Sequence, residues 1–140
     1  CFGTFDLLHI GHLHYFHQAK EYGNTLIVVV ARDATKEKQK KEIVFTEEER
    51  LTLLSALRCV NEVVLGYPDD HLKIIIEKKP NVLCLGYDHP VSTDWLQSEL
   101  EKWNFRPQIV RTKPYQPDRH KSSILRSSLL SFNIKDGRRK

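Results

Sequence analysis

Apolar residues along the chain fall into two alternating patterns. Short β-branched runs occur at Thr25 to Ala31, Glu62 to Leu65, Val82 to Leu85 and Ile109 to Val110, several of them bounded by Gly, Pro or Asn, and they read as strands. Cys1-Phe2 reads as the end of a first strand whose remainder is expected upstream, a reading that fits the absence of any methionine. The unbroken run Leu26-Ile27-Val28-Val29-Val30 predicts burial on both faces, as in a parallel sheet. Between the runs lie helical segments. Gly11 to Tyr22 carries Leu13, Phe16 and Ala19 at helical spacing and meets Gly23. Thr46 to Glu49 forms a capping box before Arg50 to Leu57, with Leu51, Leu54 and Leu57 on one side. Asp69 or Asp70 opens a helix at Leu72 to Lys78 that Pro80 ends; Thr93 or Asp94 opens Trp95 to Trp103; Ser122 or Ser123 opens the last, through Phe132. Asp33 to Val44, crowded with Lys36, Lys38, Lys40 and Lys41, has little period and reads as a mobile connection.

Strand and helix alternate, which predicts an α/β fold: a single doubly wound parallel sheet of about five strands, the first truncated. Residues 1–134 form the expected domain and 135–140 a basic, solvated tail. A length of 140 residues suits one core. No apolar run approaches a membrane span, and no charged-then-apolar leader opens the chain. Lys and Arg number 22 against 18 Asp and Glu, a net +4 that suits a ligand carrying several phosphates and would equally suit weak nucleic-acid attraction. Three cysteines without a CxxC pair, Cys84 inside an apolar run, read as free thiols in a reduced, cytoplasmic protein.

The candidate chemistry concentrates in Phe2-Gly3-Thr4-Phe5-Asp6-Leu7-Leu8-His9-Ile10-Gly11-His12. This segment follows the first strand and runs into a helix, where open α/β sheets bind ligands beyond the carboxyl ends of their strands. Gly3 permits close backbone approach, and the helix start aims free N–H groups at the same crevice. His9 and His12 are three residues apart, so both imidazoles face one spot, and Gly11 between them removes a blocking side chain. The pair alone could be a coincidence or metal ligands. A structural zinc site wants four ligands, and no Cys or His partner recurs at suitable spacing, so no protein metal site is expected.

With Gly3-Thr4-Phe5-Asp6 and His9-x-Gly11-His12, the sequence resembles the cytidylyltransferase-like branch of the nucleotidyltransferases. That branch includes glycerol-3-phosphate cytidylyltransferase, the choline- and ethanolamine-phosphate enzymes and the small archaeal FAD synthases. Arg32-Asp33-x-Thr35, Glu48-Glu49-Arg50, Leu85-Gly86-x-Asp88 and Lys121-Ser122-Ser123 support the resemblance over nearly the full chain. It implies that His9 and His12 hold the nucleotide phosphates and stabilise the transferring α-phosphoryl group by position and charge. An acceptor phosphate attacks in line and pyrophosphate leaves. It further implies phosphate contact by the Gly3-Thr4-Phe5 backbone, ordering of the acceptor or the loop by Asp6, and nucleotide contact by Asp88. Lys121, Ser122 and Ser123 would bind the triphosphate at a helix start. Mg²⁺ would be held mainly by the substrate's phosphate oxygens. Arg32, Asp33, Lys38 and Arg58 are weaker candidates for acceptor or phosphate contacts: Arg58 reads equally as a helix-end cation, and Lys38 as one of several surface lysines. Arg50 is read as part of the capped helix or as lining the crevice.

The wordings Arg32-Asp33-x-Thr35, Gly86-Tyr87-Asp88 and Lys121-Ser122-Ser123 resemble the FAD synthases more than the glycerol-phosphate enzymes. The Arg-Thr-x-Gly-Ile-Ser-Thr stretch typical of the latter is not matched over 117–123, where His120 stands in place of the glycine. The leading expectation is therefore FMN adenylyltransferase, with ATP and FMN as substrates. CTP with a small phosphorylated alcohol is the alternative, and a nucleotide-binding regulatory module is the non-enzymatic one. The same signature marks class I aminoacyl-tRNA synthetases, whose catalytic domains exceed 140 residues. Neither nucleic acid nor membrane is expected as a partner, and the resemblance implies a homodimer.

Overall fold

The computed structural model describes residues 1–116 and 122–135. Among the described residues, strands β1 (Phe2–Gly3), β2 (Ile27–Val30), β3 (Glu62–Leu65), β4 (Val82–Leu85) and β5 (Gln108–Arg111) alternate with helices. These are α1 (Ile10–Lys20), α2 (Asp33–Lys38), α3 (Glu47–Ser55), α4 (Lys73–Lys78), α5 (Thr93–Glu101) and α6 (Ser122–Lys135). Strand pairing is parallel throughout: Phe2 lies opposite Val29, Val29 opposite Val64, and Cys84 opposite Val110.

The pairing divides into β3-β2-β1 and β4-β5. At the seam the Tyr15 hydroxyl accepts from the Phe2 amide at 3.2 Å and donates to the Cys84 carbonyl at 2.8 Å. One buried phenol thus satisfies polar groups that a ladder would otherwise pair, and it joins the two sheets through a side chain. The expected single ladder is in this respect interrupted, while the parallel α/β architecture holds.

Apolar residues cover both faces, as the Leu26–Val30 run predicts. On one face α1 and α3 pack Tyr15, Phe16, Ala19 and Leu54 against Val28, Val30 and Cys84. On the other, α4 and α5 pack Ile74, Ile75, Leu96 and Leu100 against Leu83 and Leu85, with Val29 and Val64 alongside. Successive β2 residues therefore feed opposite cores, which makes the fold doubly wound. Full burial of a Leu such as Leu54 or Leu100, both 0% exposed, contributes about 1.5–3 kcal/mol.

Three local expectations change. Tyr15, rather than Leu13, joins Phe16 and Ala19 in the core, because its hydroxyl finds partners at the seam. Arg50 joins Leu54 on the buried side of α3, and Leu51 and Leu57 are only half-buried. The first part of the supposed connection at 33–44 is helix α2; only Thr35 on it is buried, so it shows no apolar period to read. Elsewhere the caps are local and legible. The Thr46 hydroxyl accepts from the Glu49 amide at 3.2 Å, and Ser92, one residue before the expected cap, accepts from Trp95. Asp70 accepts from Leu72 and Lys73 at the start of α4, which ends at Lys79 in the left-handed region (φ 47°) before Pro80.

Candidate active site

All parallel strands point their carboxyl ends toward the segments 4–9, 31–46, 66–72 and 86–92, and the histidine pair sits where the first of these enters α1. His9 is the N-cap of α1, with extended backbone at φ −147° and ψ 175°. Its Nδ1 accepts from the Gly11 amide at 3.1 Å, and the Nδ1 of His12 accepts in return from the His9 amide at 3.2 Å. The two imidazoles thus form a reciprocal capping box, work usually done by Ser or Thr with Glu. The ring centroids lie 3.9 Å apart.

This geometry fixes the protonation pattern. A ring nitrogen that accepts a hydrogen bond carries no proton, so each neutral imidazole keeps its proton on Nε2. Burial, and then the neighbouring His9, pushes the His12 pKa down to about 3, with Asp88 partly opposing. His12 is therefore an uncharged N–H donor at neutral pH. Two such donors side by side at a helix N-terminus suit oxygens that gain charge during a transfer.

Phe5 holds the pair from behind. It adopts φ 56°, an uncommon conformation for a bulky side chain, and its ring lies edge-on to His12 at 5.3 Å. The same ring covers Gly3, where a Cβ would lie 2.7 Å from it. Gly3 is thus a glycine because the Phe5 ring occupies the space where a Cβ would stand.

Several other candidates turn out to be committed elsewhere. Asp6, 4% exposed, accepts from the Val44 and Phe45 amides at 2.8 Å each and pairs with Arg126. Its role here is to order the loop. Asp33 pairs with Arg50 at 2.6 Å, accepts from the Glu47 amide and so ties α2 to α3. Arg32 donates to the Gly66 carbonyl at 2.8 Å and lies 3.6 Å from Glu47, while Lys38 pairs with Asp69 on the surface. Arg58 is exposed in the turn before β3, at the amino edge of the sheet. Because the sheet is parallel, that edge is opposite the histidines, and a phosphate role for Arg58 is not compatible with this placement. Ser123 is exposed in the first turn of α6, and Ser122 opens that helix. Lys121 lies outside the described residues.

Two arginines organise the crevice: Arg50, for which the sequence left open a place in the capped helix or in the crevice, and Arg111, which sequence reasoning missed. Arg50, 1% exposed, donates to the carbonyls of Thr4 (2.8 Å), Ala31 (2.9 Å) and Phe45 (3.2 Å) as well as to Asp33. It stitches together the carboxyl ends of β1 and β2 and the strap before α3. Its spacing of four from Leu54 was the available signal, masked by its charge. Arg111, at the end of β5, donates to the carbonyls of Gly86, His89 and Val91 and so shapes the loop that carries Asp88. Asp88 is exposed there and close enough to influence both His12 and Tyr15. Burial and the Arg111 guanidinium push His89 down, with Lys36 and His71 acting in the same direction. Burial, then Lys41 and Arg50, lowers Lys36 as well. Helix α2 and the end of β5 therefore bring the cations Lys36 and Arg111 up to the loop that carries Asp88 and His89, a setting that favours an anion. Among the described residues, no cluster of three or more His, Cys, Asp or Glu converges for a metal ion. A hollow of about 130 Å³ lies behind the turn, lined by Phe5, Asp6, Phe45, Glu49, Arg50 and Leu53, and does not include the histidines.

The sequence matches the cytidylyltransferase-like family over residues 1–128. The chain belongs to the cytidylyltransferase-like family. Among similar proteins, the FAD synthase of Thermoplasma volcanium is 40% identical over 130 residues, covering 93% of this chain and 92% of that protein. The FAD synthase of Methanohalophilus mahii is 44% identical, covering 81% and 80%. A crystal structure described as a lipopolysaccharide core biosynthesis protein from Thermoplasma volcanium superposes with a TM-score of 0.80 at 42% identity, covering 82% of this chain and 94% of that one. For this cytidylyltransferase-like chain the family match runs from β1 into α6, and so includes both the histidine pair and Ser122-Ser123.

Proposed function

We propose that the chain is an FMN adenylyltransferase, which joins the AMP part of ATP to FMN and releases pyrophosphate. The carrying observation is the locked pair of Nε2–H donors on His9 and His12. Nucleotidyl transfer rests on membership of the family; adenine and flavin rest on the high-coverage likeness to proteins named FAD synthase. In the reaction a phosphate oxygen of FMN bonds to the α-phosphorus of ATP as the bond to the bridging oxygen toward the β-phosphate breaks. The electron pair leaves with pyrophosphate. Charge develops on the non-bridging and leaving oxygens, where two preoriented donors help most because they need no reorganisation. Mg²⁺ arrives as part of the MgATP substrate and neutralises its phosphates.

In this reading Asp88 lies on the nucleotide side of the crevice, Ser123 and the start of α6 approach the triphosphate, and Lys36 lends positive charge. The active form is a homodimer, checked by sedimentation equilibrium. The deciding experiment incubates the protein with MgATP or MgCTP and with FMN or glycerol 3-phosphate, then measures pyrophosphate and separates the products by chromatography. FAD from ATP plus FMN is the expected product. Product only from CTP and glycerol 3-phosphate would overturn the choice of base and acceptor, and no pyrophosphate from any pair would overturn the enzymatic reading.

A further inference from the structure

We propose that Arg126 is a positioning residue that sets the first turn of α6 against the histidine pair. Its Nη2 pairs with the Asp6 carboxylate at 2.5 Å and its Nη1 donates to the Glu42 carbonyl at 3.0 Å. Asp6 is three residues before His9 and nearly buried; its two oxygens also hold the Val44 and Phe45 amides. Arg50 fastens the same strap from the other side through the carbonyls of Thr4 and Phe45. One carboxylate thus anchors two segments, the strap 42–45 and α6, to the turn that carries the catalytic pair.

Arg126 lies three residues after Ser123 and four after Ser122, one turn further along the same face of the helix. A fork bound at two points fixes both the height and the rotation of that turn; a single contact fixes only the height. Stability alone is a weak reason for such a pair, because burying the carboxylate costs much of what the attraction returns. Positional specification explains the two-point geometry better. Arg126 Nε is buried and has no hydrogen-bond partner, so the guanidinium is held through its two terminal nitrogens.

The inference rests on the reading of α6 as a triphosphate contact, and its deciding ATP titration needs no acceptor. Arg126→Lys keeps the charge on Asp6 but not the fork, and Arg126→Gln removes both. Isothermal titration of the full chain with MgATP, and with FMN separately, is paired with melting curves and with KM and kcat for each substrate. We expect ATP affinity to fall about fivefold in Arg126→Lys and tenfold or more in Arg126→Gln. FMN affinity should stay within twofold, and the melting temperature of the lysine variant should be unchanged. ATP affinity within twofold of the parent in a folded variant overturns the proposal, as does an equal loss for ATP and FMN, which would indicate general loosening. If Arg126→Gln does not fold, Arg126→Lys decides. If the parent binds ATP but does not adenylylate FMN, the acceptor reading fails while the ATP titration still judges Arg126.

Discussion

Replacing His12 separates its two jobs, capping α1 and donating from Nε2. His12→Ala loses both. The cap is one hydrogen bond at 3.2 Å to the His9 amide, and its loss costs about 1 kcal/mol of stability. For a chain of this size that lowers the melting temperature by roughly 3–5 °C. The catalytic loss is larger: a preoriented donor to a charged transition state is worth about 3 kcal/mol, or roughly a hundredfold in kcat. His12→Gln is the discriminating partner. A glutamine at the third helical residue is a natural capping-box acceptor and can restore the bond to the His9 amide, but it does not reproduce the imidazole Nε2–H, edge-on to Phe5. The expected result is a melting temperature near that of the parent in His12→Gln, a few degrees lower in His12→Ala, and kcat down about a hundredfold in both. Differential scanning fluorimetry and a coupled pyrophosphate assay read the two quantities. If His12→Gln retained more than a third of the parental kcat, or if activity followed melting temperature across the series, His12 would be a cap and nothing more.

Further outcomes follow from the same geometry. His12 has a folded pKa of about 3 against an ordinary 6.5, so between those values only the unfolded chain takes up its proton. Its contribution is present above pH 6.5 and is lost as pH falls, at about 1.4 kcal/mol per pH unit, which urea titrations at pH 7 and 5 should show as a steeper loss in the parent than in His12→Gln. Tyr15→Phe leaves the Phe2 amide and the Cys84 carbonyl without their bridge and should cost about 1–3 kcal/mol in the same titration; an unchanged midpoint would show the seam is held otherwise. Gly3→Ala forces the Phe5 ring off its seat, since the new carbon would lie 2.7 Å from it, and should lower both stability and kcat; a fully active, fully stable variant would refute the packing argument.

The strands and most helices were legible because their signals are local: β-branched runs, Ser and Thr caps, and Pro80 after α4. The histidine pair was legible because its spacing and its place after a strand are both in the chain. Helix α2 was not, since Asp33 is held by Arg50 and Glu47 from a distant segment rather than by any period of its own. The same reason hid the burial of Arg50, whose place in the crevice the sequence only offered, and the role of Arg126. A charged residue reads as solvated until the carbonyls and carboxylate that surround it are brought together, and those come from residues 4, 6, 31, 33, 42 and 45. Arg58 failed in the opposite way: a plausible cation on a helix end, it lies at the wrong end of a parallel sheet, a fact that only topology supplies.

The reciprocal cap also bears on which poisons the protein should resist. Imidazole binds zinc or copper through a bare nitrogen while its other nitrogen donates a hydrogen bond to a carbonyl or carboxylate. In His9 and His12 that arrangement is reversed: the inner nitrogens accept hydrogen bonds from main-chain amides, and the outer ones carry the ring protons. A soft metal ion seeking the pair must either strip a proton to make an imidazolate or break the start of α1 to turn the rings over. The His-x-x-His spacing, which in another setting makes a chelate, is thereby disfavoured as a metal site by the hydrogen bonds that start α1.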